Sequence, residues 1–85
     1  MTQDITADKV IGILAKKLDV DRTTIQLNTR LADDLGVDSF GAVELMFEIE
    51  EAFGLKLPDS EIEHIRTVGD IVDYIRQWSE KNAKP

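Results

Sequence analysis

The residue of this chain best placed to do chemistry is a serine at the start of a predicted helix. Ser39 follows the turn residues Gly36, Val37 and Asp38, and apolar residues then recur at helical spacing. Unpaired N–H groups and the positive end of the helix dipole would stabilise a phosphate ester there. Asp38 would repel a free anion, but a covalently attached phosphate tolerates that repulsion better. The position suggests an attachment point, although the simpler hypothesis is that Ser39 is only the N-cap.

Other kinds of chemistry have little support in the sequence. The absence of cysteine excludes disulfides, thiolate catalysis and cysteine–zinc sites. The single histidine, His64, lies among charged residues without a recognisable hydrolase or metal-ligand spacing. The segment from Asp19 imitates the opening of a calcium loop, but Thr24 and Arg30 stand where glycine and glutamate are needed. We therefore expect no catalytic residue, no metal site and no enzymatic activity.

Charge is unevenly distributed along the chain. Its 85 residues include 17 acidic and 10 basic side chains, and the formal charge of −7 argues against nucleic acid as a partner. Residues 33 to 63, here called the acidic segment, hold ten acids and one base, Lys56, which gives −9. Such a segment is either a solvated surface or a docking face for basic partners.

The elements that would position Ser39 are predicted to be helical. A first helix spans about Thr6 to Leu18 and a second spans Ser39 to Phe53, closed by Gly54 as a C-cap. A short third helix runs from Pro58 to about Ile65. The fold predicted is all-α, a small four-helix bundle of three main helices and one short one, with a long first connection over residues 19–38.

The last helix and the long connection carry further signals. Thr67 is a good N-cap for the last helix, with Asp70 at the capping-box position. Residues predicted to face the core are Val10, Ile11, Leu14 and Leu18 in the first helix, and Val68, Ile71, Val72 and Ile75 in the last. Residues expected to pin the connection to the core are Val20, Ile25, Leu27, Leu31 and Leu35.

No targeting or membrane segment is recognisable. The N-terminus lacks the basic-then-apolar pattern of a secretion signal, and no apolar run could span a bilayer. We expect a cytoplasmic protein with no membrane contact, forming a single domain over residues 1–85, with residues 82–85 as a disordered tail.

Five segments carry a family resemblance: residues 34–40 (DLGVDSF), 43–45 (VEL), 49–54 (IEEAFG), 57–59 (LPD) and 65–75 (IRTVGDIVDYI). Together they resemble the acyl carrier protein family over about residues 5 to 77. In that family the serine receives 4′-phosphopantetheine from coenzyme A, and the matching residue is Ser39. The resemblance implies a carrier that holds acyl intermediates as thioesters on this arm, in fatty acid or related lipid or polyketide biosynthesis.

The resemblance also implies partners and an acyl shelter. The partners would be a holo-carrier synthase (phosphopantetheinyl transferase) and acyl-loading and acyl-processing enzymes with basic patches, acting on a monomer. The docking residues carried over are Asp38, Glu44, Glu50 and Glu51. The acyl-chain pocket candidates are Met46, Phe47, Ile49, Phe53, Leu57, Ile62, Ile65, Val68 and Val72. A helical bundle needs those apolar residues as ordinary core in any case, and both roles can hold.

Two residues depart from the family pattern. Phe40 stands where leucine is usual, and Gly41 replaces a common acidic residue. The run from Asp38 to Leu45 also resembles D-alanyl carrier proteins, so a D-alanyl or other specialised carrier is an alternative. A non-modified helical protein–protein adaptor is an alternative of a different class, because periodicity alone does not separate it from a carrier.

Overall fold

The computed structural model describes residues 5–82, and within them the regular structure is helical. Helix α1 spans Ile5–Leu18, a 3₁₀ turn η1 spans Arg22–Thr24, α2 spans Ser39–Phe53, α3 spans Asp59–Ile62 and α4 spans Val68–Asn82. No strand occurs in this part of the chain, apart from an isolated antiparallel bridge between Arg30 and Thr67. The predicted all-helical bundle is confirmed.

The ends of the helices follow mostly from local sequence. Gly54 adopts a left-handed conformation (φ 67°) and its N–H donates to the Glu50 carbonyl, as the C-cap prediction requires. Thr67 and Asp70 form a reciprocal capping box, in which Thr67 Oγ1 accepts from the Asp70 amide at 3.2 Å and Asp70 Oδ2 accepts from the Thr67 amide at 3.1 Å. Both predictions are confirmed.

The third helix is shorter than predicted. It ends at Ile62, not at about Ile65, because the next amides bond one residue closer than in an α-helix. The amide of His64 donates to the Glu61 carbonyl and that of Ile65 to the Ile62 carbonyl. The chain therefore leaves α3 through a tight turn toward α4.

The core is built from the inward faces of the three long helices, from three residues of the connection and from two leucines in the link after α2. Val10 and Leu14 of α1 are buried as predicted, and Ile11 and Leu18 pack partly buried beside them. The four predicted residues of α4 are all buried. The buried hydrophobic residues are Ala7, Val10, Leu14, Ile25, Leu31, Val37, Leu45, Met46, Ile49, Leu55, Leu57, Val68, Ile71, Val72 and Ile75.

The long connection is held less by side chains than the sequence predicted. Ile25 and Leu31 are buried and Leu35 is half-buried, but Val20 and Leu27 are exposed, so their predicted role as core anchors is wrong. Leu27 is instead attached through its backbone, since its carbonyl accepts from the Gly69 amide at 2.7 Å. A single residue thus contributes a hydrogen bond and leaves its side chain in solvent.

Two remaining expectations concern the membrane and the tail. None of the helices within residues 5–82 is both long and apolar enough to cross a membrane. Asn82, predicted to begin the tail, is the last residue of α4, and the rest of that predicted tail, residues 83–85, lies outside the described residues.

Gly69 is required where α4 meets the connection. A Cβ atom at this position would lie 3.0 Å from the Leu27 carbonyl oxygen, which is backbone and cannot swing away. We therefore expect Gly69→Ala to lower the free energy of unfolding by about 1–3 kcal/mol, the usual cost of overpacking. Urea denaturation monitored by circular dichroism measures this directly.

A second helical glycine provides the matched control. At Gly12 a Cβ would meet only the guanidinium end of Arg22, at 3.3 Å, which is a flexible side chain. Gly12→Ala should therefore raise stability by up to about 1 kcal/mol through helix propensity. Equal effects of the two substitutions would show that the close approach at Gly69 is not a constraint.

Candidate functional site

Ser39 is the first residue of α2, and its side chain is exposed. The N-cap is Asp38, whose Oδ1 accepts from the Gly41 amide at 2.7 Å. The hypothesis that Ser39 caps the helix is therefore wrong, because the aspartate one residue earlier fills that role. The Ser39 hydroxyl makes no hydrogen bond with another described residue, which leaves it available for chemistry.

The small size of Gly41 matters to this cap. A Cβ at Gly41 would lie 3.1 Å from Asp38 Oδ1 and 3.4 Å from a methyl group of Val37. The absence of a side chain lets the carboxylate approach the Gly41 amide closely. This gives the unexpected glycine of the sequence a local packing role at the site.

The turn before Ser39 is fixed by the backbone of the connection. Gly36 has a positive φ of 70°, which glycine adopts at little cost. The Val37 amide donates to the Leu31 carbonyl at 2.8 Å, and Asp34 Oδ2 accepts from the Arg30 amide at 2.8 Å. The chain therefore enters α2 in a defined direction, with Ser39 at the surface.

An open cleft of about 490 Å³ lies beside Ser39, between the connection, the start of α2 and the link from α3 to α4. Its apolar floor includes the buried Leu31 and Val37. The cleft is lined by Arg30, Leu31, Ala32, Asp33, Val37, Asp38, Ser39, Ala42, Glu63, Ile65 and Arg66. Ile65 is the one acyl-pocket candidate among these residues.

The four acidic docking candidates lie in different environments. Glu44 and Glu51 are exposed, two turns apart on α2, while Asp38 is exposed but bonded as the N-cap. Glu50 is half-buried, and its Oε2 accepts from the Leu57 amide at 2.6 Å. Its carboxylate therefore also stabilises the link between α2 and α3.

A tyrosine supports the same link from α4. The Tyr74 hydroxyl donates to the Lys56 carbonyl at 2.9 Å. Burial, together with the nearby carboxylates of Glu61 and Glu50, raises the pKa of Tyr74 above its ordinary value. The phenol therefore stays protonated and keeps donating across the neutral pH range.

Three large apolar side chains face solvent on α2. Phe40 is 71% exposed, Val43 52% and Phe47 58%. They recur at helical spacing with Glu44 and Glu51 on the same side. We call these five residues the α2 outer face. The sequence indicated only acidic docking residues and placed Phe47 among the acyl-pocket candidates. The spacing of residues 40, 43 and 47 nevertheless indicates a common face, distinct from that of Leu45, Met46 and Ile49.

The acyl-pocket candidates fall into three groups by exposure. Met46, Ile49, Leu57, Val68 and Val72 are buried in the core, whereas Phe47 is exposed. The half-buried candidates, which pack against the core, are Phe53, Ile62 and Ile65. Eight of the nine are thus in the core or packed against it, as any bundle would need.

No group of three or more histidine, aspartate or glutamate side chains within the described part of the chain is arranged to hold a metal ion. The exposed His64 instead has its Nδ1 2.8 Å from the Ser60 carbonyl oxygen.

The assignment of the N-cap to Asp38 predicts that substitution of Asp38 lowers stability, whereas substitution of Ser39 does not. Asp38→Ala should lower the free energy of unfolding by about 1 kcal/mol because the Gly41 amide loses its acceptor, while Asp38→Asn should retain most of the stability. Ser39→Ala should change stability little. Thermal and urea denaturation of the three variants test this, and a larger loss for Ser39→Ala than for Asp38→Ala would contradict the assignment.

Comparison with known proteins gives one family. The chain matches the family described as "Phosphopantetheine attachment site" over residues 8–75. It is 42% identical over 74 residues to an acyl carrier protein of Clostridium acetobutylicum, covering 87% of this chain and 96% of that protein. Acyl carrier proteins of Syntrophobacter fumaroxidans (46% over 67 residues, 79% and 83% covered) and Thermotoga maritima (45% over 69 residues, 81% and 85%) are also similar.

Proposed function

Because this chain belongs to the acyl carrier protein family and has that family's phosphopantetheine carrier role, we propose that Ser39 is its attachment residue. The observation that carries the proposal is the exposed Ser39 hydroxyl, freed from capping by Asp38. The protein would then act as a carrier with no catalytic activity of its own.

The start of α2 fits a phosphate ester on Ser39. The Gly41 amide is bonded to the Asp38 side chain and the Ala42 amide to the Asp38 carbonyl. The amides of Ser39 and Phe40 make no hydrogen bond with a described residue, and they lie at the positive end of a 15-residue helix. An ester oxygen at Ser39 Oγ would place its phosphate among these donors.

Because the chain has no cysteine, the attached arm and the protein must have different roles. The attached 4′-phosphopantetheine supplies the thiol that holds an acyl group as a thioester. The residues of the chain anchor that arm, present it at the surface and offer a face to the enzymes that act on it. We propose a role in fatty acid or related lipid biosynthesis, where this family typically works.

Family membership implies interaction with modifying and acyl-processing enzymes. We propose that these enzymes dock on the α2 outer face, on Asp38 and on Glu50. A partner surface that matches it would have an apolar patch for Phe40, Val43 and Phe47, bordered by basic side chains for Glu44 and Glu51. Charge complementarity would speed encounter, and the apolar contact would slow dissociation.

We also propose that the carrier shelters its acyl chain between the helices. The candidates Met46, Ile49 and Val72 are at most 1% exposed, so an acyl chain entering among them would require these side chains to rearrange. Methionine accommodates such rearrangement because its side chain is flexible. A single domain over residues 1–85, a monomeric state and a cytoplasmic location complete the proposal.

Loss of one hydroxyl should abolish modification. Incubated with coenzyme A and a phosphopantetheinyl transferase, the wild-type chain should gain one phosphopantetheinyl group, and Ser39→Ala none. Intact-protein mass spectrometry measures this. Ser60→Ala and Ser79→Ala serve as controls and should load fully, because these serines lie on α3 and α4 and not at the start of α2. Modification persisting in Ser39→Ala would refute the assignment.

Charge reversal on the α2 outer face should slow loading. Glu44→Lys and Glu51→Lys should each lower the apparent second-order rate of modification, mainly through the encounter rate, and salt should lower the wild-type rate too. Asp73→Lys is the matched control, since it makes the same charge change at an exposed site on α4.

The docking experiment needs a check on folding. Circular dichroism should give the same helix content for all three lysine variants, because the substituted side chains are exposed. If Asp73→Lys slows modification as much as Glu44→Lys, total charge and not the α2 outer face governs the encounter.

A further inference from the structure

Two arginines that flank the acidic segment in sequence meet beside Ser39 in the fold. The Leu31 amide donates to the Arg66 carbonyl at 2.9 Å, and Arg30 forms the antiparallel bridge with Thr67. These backbone contacts bring Arg30 and Arg66 onto adjacent segments, and both line the cleft that includes Ser39. Two arginines therefore line the same cleft as the serine of the acidic segment.

Neither guanidinium forms a strong ion pair with another described residue. Arg30 Nη1 lies 3.2 Å from Asp33 Oδ2, but both side chains are more than half exposed, and exposed pairs of this kind contribute little. The Arg66 side chain makes no ion pair or hydrogen bond with a described residue. Both are therefore available to an additional anion at small cost.

The same cleft also contains three carboxylates, of Asp33, Asp38 and Glu63. Asp33 faces Arg30, and Asp38 is bonded to the Gly41 amide, so Glu63 is the carboxylate least engaged. A dissociable anion would gain little binding free energy in a cleft that contains both arginines and carboxylates. A tethered anion is held at an effective concentration in the millimolar range, so even weak contacts are populated.

Resting on the attachment of the arm at Ser39, we propose that Arg30 and Arg66 bind the phosphate of that arm. Guanidinium groups match phosphate oxygens in fork geometry, with two parallel N–H donors each. From the phosphate, the rest of the arm would extend over the apolar floor of the cleft, formed by Leu31, Val37 and Ile65. Its near end is docked on the protein, and the two arginines set the direction in which the thiol is presented.

Phosphorus NMR on the loaded protein tests the docking without any enzyme assay. Holo wild type should show a broad ³¹P resonance that narrows and shifts in the holo Arg30→Gln/Arg66→Gln variant, because the phosphate becomes mobile and loses its donors. Raising NaCl from 0.1 to 1 M shortens the screening length from about 10 Å to about 3 Å and should move the wild-type signal toward that of the variant.

Matched variants separate the arginines from general charge effects. Lys56→Gln removes one positive charge in the link that follows the C-terminal end of α2, so its ³¹P signal should equal that of wild type. The single Arg66→Gln variant, which removes a side chain without a described partner, should give an intermediate signal. Melting curves of the unloaded proteins show that each variant is folded.

The outcomes distinguish this inference from the proposed function. No phosphopantetheinyl group on wild type by mass spectrometry would mean that the proposed function has failed. Normal loading with a ³¹P signal indifferent to both arginines and to salt would overturn the arginine contact alone. Slower loading of the arginine variants with an unchanged ³¹P signal would also overturn it, and would assign the arginines to the transferase encounter.

Discussion

The backbone contact between the long connection and the start of α4 is the constraint on which the site depends. The carbonyls of Leu27 and Thr29 accept from the Gly69 and Val68 amides, and the Leu31 amide donates to the Arg66 carbonyl. Connections of this length are costly to order, and here the order comes from hydrogen bonds that also satisfy amides at the start of α4. The turn to Ser39, its cleft and the pairing of the two arginines all follow from this contact.

Two neighbouring residues at the start of α2 have different roles: Asp38 caps the helix, and Ser39 presents a free hydroxyl. Asp38 neutralises the positive end of the helix and satisfies the Gly41 amide, which stabilises the fold. Ser39 is thereby released from any structural duty and keeps an exposed hydroxyl. An attachment residue that also capped the helix would lose its capping interaction on modification. With the cap at Asp38, a group attached to Ser39 would leave the capping hydrogen bond intact.

Helix α2 serves the core and the surface with opposite faces. Leu45, Met46 and Ile49 are buried, while the α2 outer face presents apolar and acidic groups to solvent. Glu50 lies between these faces and stabilises the link to α3 through the Leu57 amide. A partner bound to the outer face would therefore contact a rigid helix whose inner side is fixed by the core. The Tyr74 hydroxyl of α4 donates to the Lys56 carbonyl and so attaches the same link to α4.

The sequence by itself determined the three long helices, their caps at Gly54 and Thr67, the inward residues of α1 and α4 and the position of Ser39 at the start of α2, because periodicity and cap chemistry are local. It failed where contacts are made across the chain. The exposure of Val20 and Leu27 depends on backbone hydrogen bonds, which leave no trace in hydropathy. Aspartate and serine are both good N-cap residues, so the sequence alone does not select between Asp38 and Ser39. The direction in which the chain enters α2 makes Asp38 the cap. The meeting of Arg30 and Arg66, 36 positions apart, was decided by tertiary structure alone.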